Sequence, residues 1–446
     1  SAPALPNLDN EHLPDALSRA FAEIASARVR LREGIDDPPD LNETIDFAKR
    51  LAQSYEALVS IDPTRQNRAA AGFVAASSYQ LVFQATALHT RDRPTAFLGT
   101  NGISPDISAM LLFLVAEATA DASEVARAIR RPGDSRLQSE LILHLTMLAR
   151  GQVGQITDRK CIRMVSVVSG SGAGRANSAL YYRILRGVRA LAFKLQGRSV
   201  TDMADPNAVF AEVKALAAPD VENGVDSPGY RAPLLFPGPF HLASLLMSAG
   251  SALFDGAGVN LPPPNGVPAE HWRSAMKTVA KTRPYLWRNH KEAAARGYLD
   301  NGTSSAIGFP TGSGKSTTAQ LKIHSALLSG RKAVFLAPTH ALVDQTARDL
   351  RDAFRTANIR GERADDLTFS SDEEELPDVM VMTPEACLLV THVEPGRFED
   401  VGLLIFDECH LIHPKDGTDR RAINAMLCIL GFVRTAPDAE IFLFFP

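Results

Sequence analysis

Two short stretches hold residue types whose spacing suits chemistry on a triphosphate. The first is GFPTGSGKST, where Gly308, Gly314, Lys315 and Ser316 satisfy G-x-x-x-x-G-K-[ST] between a strand-like run and a helical one. In the loop Pro310, Thr311, Gly312, Ser313 and Gly314, the two inner glycines let the backbone curl until successive N–H groups face phosphate oxygens. The helix that follows, through Thr317, adds its positive amino-terminal end. Lys315 supplies a cation for the β and γ phosphates, and the Ser316 hydroxyl is placed to ligate Mg²⁺. The second stretch is LLIFDECH. Its Asp407 can hold the metal's water shell, and Glu408, one residue on, can orient or deprotonate a water attacking the γ phosphate. ATP and Mg²⁺ are the cofactors these residues imply.

Such groups need a parallel sheet to bring them together. From about residue 280 the sequence alternates helical stretches with the apolar runs SSAIGF, KAVFLA, DVMVMT, LLIFDE and IFLFF. Runs buried on both faces and joined by helices imply parallel strands with crossovers, and a carboxylate at a strand's carboxyl end points into the ligand crevice. Before that point the spacing is helical almost throughout. Helices are expected near 67–88, 105–129, 135–148, 179–195, 208–216 and 240–254, with no fixed repeat period. Proline clusters at 227–239 and 261–268 interrupt this half, and the second marks the expected boundary. The fold class is therefore α/β: an all-helical domain over 1–265, then a P-loop parallel-sheet lobe over 266–446.

Composition narrows the field without choosing a partner. With 446 residues, 45% hydrophobic and 22% charged, the chain has ordinary globular proportions and room for two or three domains. A net charge of −4 leaves no global basic footprint, so any nucleic-acid site must be a local patch. No apolar run in the helical half approaches membrane-spanning length, and the acidic start does not read as a signal peptide. Four scattered cysteines without a C-x-x-C pair disfavour zinc and disulfides, which points to the cytoplasm.

Two other stretches invite a reading. The run VSVVSGSGAGR (165–175) imitates a dinucleotide turn, yet no ribose-binding acid follows at the expected distance, so a surface turn is favoured. The acidic stretch at 365–378 is expected to be a solvated loop that repels phosphates.

Taken in order, the motifs of the second half resemble the first RecA-like lobe of a superfamily 2 helicase. PTGSGKST is similar to motif I, APTHALVDQ (337–345) to motif Ia, VMTPE (381–385) to motif Ib and DECH to motif II of the DExH type. The DECHLIHPKDGTDRR segment looks most like the Ski2-like branch, with Arg420 and Arg421 in its arginine-containing stretch. The resemblance implies that Pro338, Thr339 and His340, with Thr383, Pro384 and Glu385, line a tract for one nucleic-acid strand, although plain strand and helix capping would also suit these residue types. It implies a coupling role for His410. It also sets His290, in LWRNHKEAAARGYL, near the place where relatives carry an adenine-recognising glutamine.

Motif III and a second lobe are expected beyond Pro446, as for the amino-terminal portion of a longer enzyme. A helical region before a Ski2-like core is also similar to the helicase subunit of Hachiman-type bacterial antiviral systems. That resemblance implies DNA in preference to RNA, and a nuclease-type protein partner docked on the helical domain. Three functions stay open at this point: an ATP-dependent translocase or helicase, an ATP-sensing module that recruits an effector without unwinding, and the motor subunit of an endonuclease, which would share every one of these motifs.

Overall fold

A computed structural model describes residues 13–34, 38–61, 65–92, 94–133, 135–164, 172–199, 204–218, 235–309, 314–362, 376–412 and 420–445. The chain divides into two compact units: Ser1–Asn260 with Ala280–Tyr285, and Leu261–Val279 with Leu286–Pro446.

The first unit is built of helices α1 (Leu13–Glu33), α2 (Pro38–Ile61), α3 (Arg65–Thr90), α4 (Pro105–Val115), α5 (Thr119–Ala128), α6 (Arg136–Ala149), α7 (Val153–Asp158), α8 (Gly172–Leu195), α9 (Pro206–Ala217) and α10 (Pro237–Asp255). Periodicity explains them: on α1, Ala20, Ile24, Ala27 and Leu31 form one buried stripe. In α4 every residue from Asp106 to Val115 is buried, and α3, α5 and α10 surround it. Caps set several ends. The Ser135 hydroxyl accepts from Gln138 N at 3.3 Å, and Asp205 accepts from Asn207 N at 3.0 Å.

The single helix expected over 105–129 is instead two. Glu117 takes a left-handed φ of +59°, and the Ala118 N–H reaches back to the Phe113 carbonyl at 2.9 Å, closing α4. Glutamate and alanine are good helix formers, so nothing local announces this stop. The glycine-rich turn at 165–171 lies outside the described residues, and 172–175 open α8.

The second unit holds α11 (Ala269–Val279), α12 (Arg288–Ala295), β1 (Ser305–Gly308), α13 (Lys315–Leu328), β2 (Lys332–Leu336), α14 (His340–Ala353), β3 (Ile359–Glu362), β4 (Val379–Met382), α15 (Pro384–Val393), β5 (Val401–Phe406), α16 (Arg420–Thr435) and β6 (Glu440–Phe445). The strands form one sheet in the order β1-β6-β5-β2-β4-β3, every pair parallel. This is the α/β lobe anticipated from the strand–helix alternation, and its topology is RecA-like. Edge strand β3 was not anticipated, because IRGE carries one aliphatic side chain and a glycine.

Alternate side chains of the central strands feed two cores. Ala333, Phe335, Val379, Val381, Leu403 and Ile405 meet α13 and α14 on one face. Val334, Leu336, Met380, Met382, Leu404 and Phe406 meet α15 and α16 on the other. A buried ionic cluster lies at the amino-terminal side of the strands. Glu440, 2% exposed, receives Lys322 Nζ at 2.5 Å and Arg331 Nη1 at 2.5 Å. Lys322 also donates to the Asp300 carbonyl at 2.8 Å, and the Gly302 N–H donates to Glu440. The cluster ties together α13, β6 and the loop that launches β1.

Candidate active site

Because all six strands run one way, their carboxyl ends share one rim. On that rim Lys315, the first residue of α13, brings Nζ within 3.4 Å of Glu408 Oε1, just past β5. Strand β6 lies between the two parent strands. Phosphate-loop lysine and acid pair thus converge from opposite sides of one strand end. The loop residues Pro310, Thr311, Gly312 and Ser313 lie outside the described residues. Gly314 is described, with φ +88°, and a side chain there would place Cβ 2.5 Å from His290 Nε2. Both conformation and space require glycine. Ser316 is exposed at the helix start, available to a cation, and the Thr317 N–H donates to the Gly314 carbonyl at 2.9 Å.

The acid pair is rigidly held. Asp407 N–H donates to the Leu336 carbonyl of β2 at 3.1 Å, and Glu408 N–H donates to Asp407 Oδ1 at 3.0 Å. Glu408 sits at φ +56°, a left-handed conformation costing on the order of 1 kcal/mol, which directs its carboxylate toward Lys315. His410 Nδ1 lies 3.1 Å from the other Glu408 oxygen. Burial first, and the Glu408 charge second, push the Asp407 carboxyl above its ordinary pKa, against the opposing pull of the Glu408 N–H, Lys315 and His410. A carboxylate so placed gains from a cation. Among the described residues there is no cluster of three or more metal-ligating side chains. Mg²⁺ keeps several waters and takes one or two protein oxygens beside phosphate, and Ser316 and Asp407 carry oxygens that would serve. Cys409 is buried, and burial pushes its thiol up to about 11, so it has no thiolate chemistry at neutral pH.

His290 has a different setting from the one expected of a base-recognising side chain. It is 3% exposed and stacks on Trp287 at an interplanar angle of 8°. Trp287 N–H donates to its Nδ1 at 3.3 Å, which leaves the proton on Nε2, and Nε2 faces the Gly314 carbonyl at 3.1 Å. Both ring nitrogens are therefore occupied by backbone, and the ring buttresses the phosphate loop. Trp287 escaped the sequence reading, although its spacing of three from His290 at a helix start is the signal that could have found it.

The residues expected to contact a strand divide into two groups. Thr339 and His340 are exposed, whereas Pro338, Thr383 and Pro384 are buried. The two threonine hydroxyls act as helix caps, each 3.3 Å from a backbone N–H, that of Leu342 for Thr339 and of Ala386 for Thr383. Glu385 lies 3.7 Å from Arg421 Nε, and Arg421 Nη2 donates to the Pro338 carbonyl at 2.8 Å. Arg421 thus joins the two loops from the side. A further backbone bond, Ala337 N–H to the Met382 carbonyl at 2.9 Å, joins them from below. Of the segment after DECH, 413–419 lie outside the described residues, as do 365–375 of the acidic stretch.

A parallel sheet with a phosphate loop after one strand and DECH after another defines a P-loop nucleotide-binding lobe of the helicase kind. Comparison with known proteins agrees: residues 288–444 match the DEAD/DEAH box helicase family, so this part of the chain is a superfamily 2 helicase domain, with relatives of the Ski2-like group. The chain is 33% identical over 129 residues to the RQC trigger complex helicase SLH1 of Saccharomyces cerevisiae, covering 27% of this chain and 6% of that one. It is 26% identical over 149 residues to the Antiviral helicase SKI2 of the same yeast, covering 33% and 10%. To the ATP-dependent DNA helicase Hel308 of Thermococcus kodakarensis it is 31% identical over 179 residues, covering 37% and 15%. The matched part spans only a small fraction of each relative's length.

Proposed function

We propose that the chain is the ATP-binding portion of a nucleic-acid-dependent motor, a helicase or translocase. The observation that carries this reading is the approach of Lys315 to Glu408 at 3.4 Å across the end of β6. In the proposed cycle Lys315 leaves Glu408 for the β and γ phosphates, which frees the Glu408 carboxylate to take a proton from the attacking water. Ser316 and Asp407 would hold Mg²⁺, which supplies charge neutralisation at the phosphates when bound. His410, 3.1 Å from Glu408, orients that carboxylate. His290 and Trp287 keep the loop's carbonyl at 314 turned away from the phosphates.

DNA is favoured over RNA as the track, in keeping with the Hel308 and MER3 relatives, which are named as DNA helicases. An RNA helicase, DExH9, is also among the relatives, so a polynucleotide panel must decide. The helical unit would serve as a platform for a nuclease-type partner in a Hachiman-like antiviral complex, acting in the cytoplasm.

The test is Lys315→Ala. Binding of a fluorescent ATP analogue should weaken at least thirtyfold, and ATPase stimulated by single-stranded DNA, overhang duplexes or RNA should vanish. Wild-type turnover in the variant would overturn the assignment. ATP binding by the wild-type chain, with no response to any polynucleotide in the complete polypeptide, would favour the ATP-sensing alternative.

A further inference from the structure

Within the helical unit lies a cleft of about 920 Å³, bounded by α1, α3, α4 and α5. That is room for a ligand of nucleotide size. Its charged groups divide by wall. Arg28 and Arg32 line it from α1 and Arg91 from just past the end of α3, whereas Glu124 lines it from α5 and Asp106 from the first turn of α4. Leu31, Phe83, Leu88, Val125 and Ile129 supply apolar lining, and Gln84 adds an amide that can pair with a polar edge.

The cationic wall is more than surface charge. Arg28 is half-buried and its guanidinium is held in place: Nη2 donates to the Ser77 carbonyl at 3.1 Å and to Gln80 Oε1 at 2.6 Å. Its Nε is buried, with no hydrogen-bond partner among the described residues. Arg32 follows one turn later on the same helix. Burial first, and the Arg32 charge second, hold the Arg28 guanidinium below its ordinary pKa, against the pull of Asp121 and Glu124. An anion between the two guanidinium groups would remove their repulsion and take up the buried donor. Arg91 adds a second kind of evidence. It takes a left-handed φ of +53°, at the place past a helix end where glycine is the usual residue. Backbone strain of this kind clusters at ligand clamps, where it is kept for the sake of the side chain.

The acidic wall sets the chemistry of the ligand's other end. Asp106 is 3% exposed and accepts the Ile107 N–H at 2.9 Å, so Glu124 is the exposed carboxylate. It can only accept hydrogen bonds when ionised. An anion joined to a flat, largely apolar body that also carries N–H donors is the chemistry of a nucleotide. We propose that this cleft binds a nucleoside monophosphate, with the phosphate at Arg28, Arg32 and Arg91, the base against Phe83, and an amino group of the base at Glu124. The site belongs to the helical unit alone and is independent of the ATP site.

The experiment is calorimetric titration of the 446-residue chain with AMP, GMP, CMP and UMP, then with the matching nucleoside and with inorganic phosphate. At least one of AMP, GMP and CMP, whose bases bear an amino group, should bind with a micromolar Kd. UMP should bind at least tenfold more weakly than the best of them, because uracil's N–H is flanked by carbonyls that repel a carboxylate. Nucleoside alone and phosphate alone should each lose at least tenfold. Glu124→Gln, at an exposed position, should narrow the UMP gap to within threefold. Arg91→Gly should weaken the best nucleotide at least fivefold while raising the Tm by about 2 °C, a combination that no misfolded variant gives. Lys315→Ala should leave monophosphate affinity unchanged. No binding of any monophosphate, UMP as tight as the others, nucleoside or phosphate as tight as the nucleotide, or full affinity in Arg91→Gly overturns the proposal. So does loss of binding in Lys315→Ala, which would put the ligand at the phosphate loop. Because that variant keeps the cleft and lacks the loop lysine, failure here and failure of the motor reading are separable.

Discussion

At the scale of single residues, His290 shows how one side chain is defined by the backbone it touches. His290→Phe keeps the ring stacked on Trp287 but removes both hydrogen bonds. Affinity for a fluorescent ATP analogue should fall about tenfold, the worth of one or two buried hydrogen bonds. His290→Gln, whose amide can both accept and donate, should return to within about threefold; a Gln variant as weak as Phe would show that the ring only fills space.

Asp407 gives a prediction of opposite sign for stability and function. Its folded pKa is raised, so near neutrality the native state bears a charge it would sooner lose. Asp407→Asn should therefore raise the Tm, by about 2 °C, while abolishing ATP hydrolysis. The Tm difference should close as pH falls through the raised pKa toward 3.8, where wild-type Asp407 is neutral too. Thermal melts across that range check the sign. That Lys315 and the Asp407–Glu408 pair would meet at one strand end was legible in the sequence, because charge type and motif spacing announce it. The duty of His290 was not, since its partners are a carbonyl and an amide that every residue possesses.

Among elements, the sheet's order decides which motifs meet. Alternation of apolar runs with helices made the parallel sheet legible, whereas the split between α4 and α5 and the edge strand β3 depend on tertiary context. Long-range ion pairs are likewise invisible in a linear reading: Lys322 and Glu440 look like surface residues, yet they are 0% and 2% exposed. Burial holds the Lys322 amine below its usual pKa, against the pull of Glu440. Lys322→Met leaves Glu440 only Arg331 and the Gly302 N–H and should cost about 1–3 kcal/mol of stability in urea unfolding, less than a buried charge left wholly unpaired. Lys322→Met with Glu440→Leu should recover part of that loss, provided Arg331 turns to solvent. Because the cluster anchors the loop before β1, ATP affinity should weaken in step with stability in the single variant.

For the molecule as a whole, the two units have separate hydrophobic cores, one of helices and one in two layers on the sheet. Calorimetry should resolve two unfolding transitions. Saturating ATP with Mg²⁺ should move only one of them, by about 3 °C or more, because a ligand stabilises only what it binds. The return of Ala280–Tyr285 to the first unit was not legible in the sequence, since this short segment lacks a pattern of its own. Along the rim, Asp407 is bonded through its amide to Leu336, and Ala337 through its amide to Met382, the residue before Thr383. Three loops are thereby riveted in series without an intervening rotamer to absorb displacement. If hydrolysis drives this protein along a track, the lever arm inside this lobe is only two peptide bonds wide, and slack must be sought elsewhere.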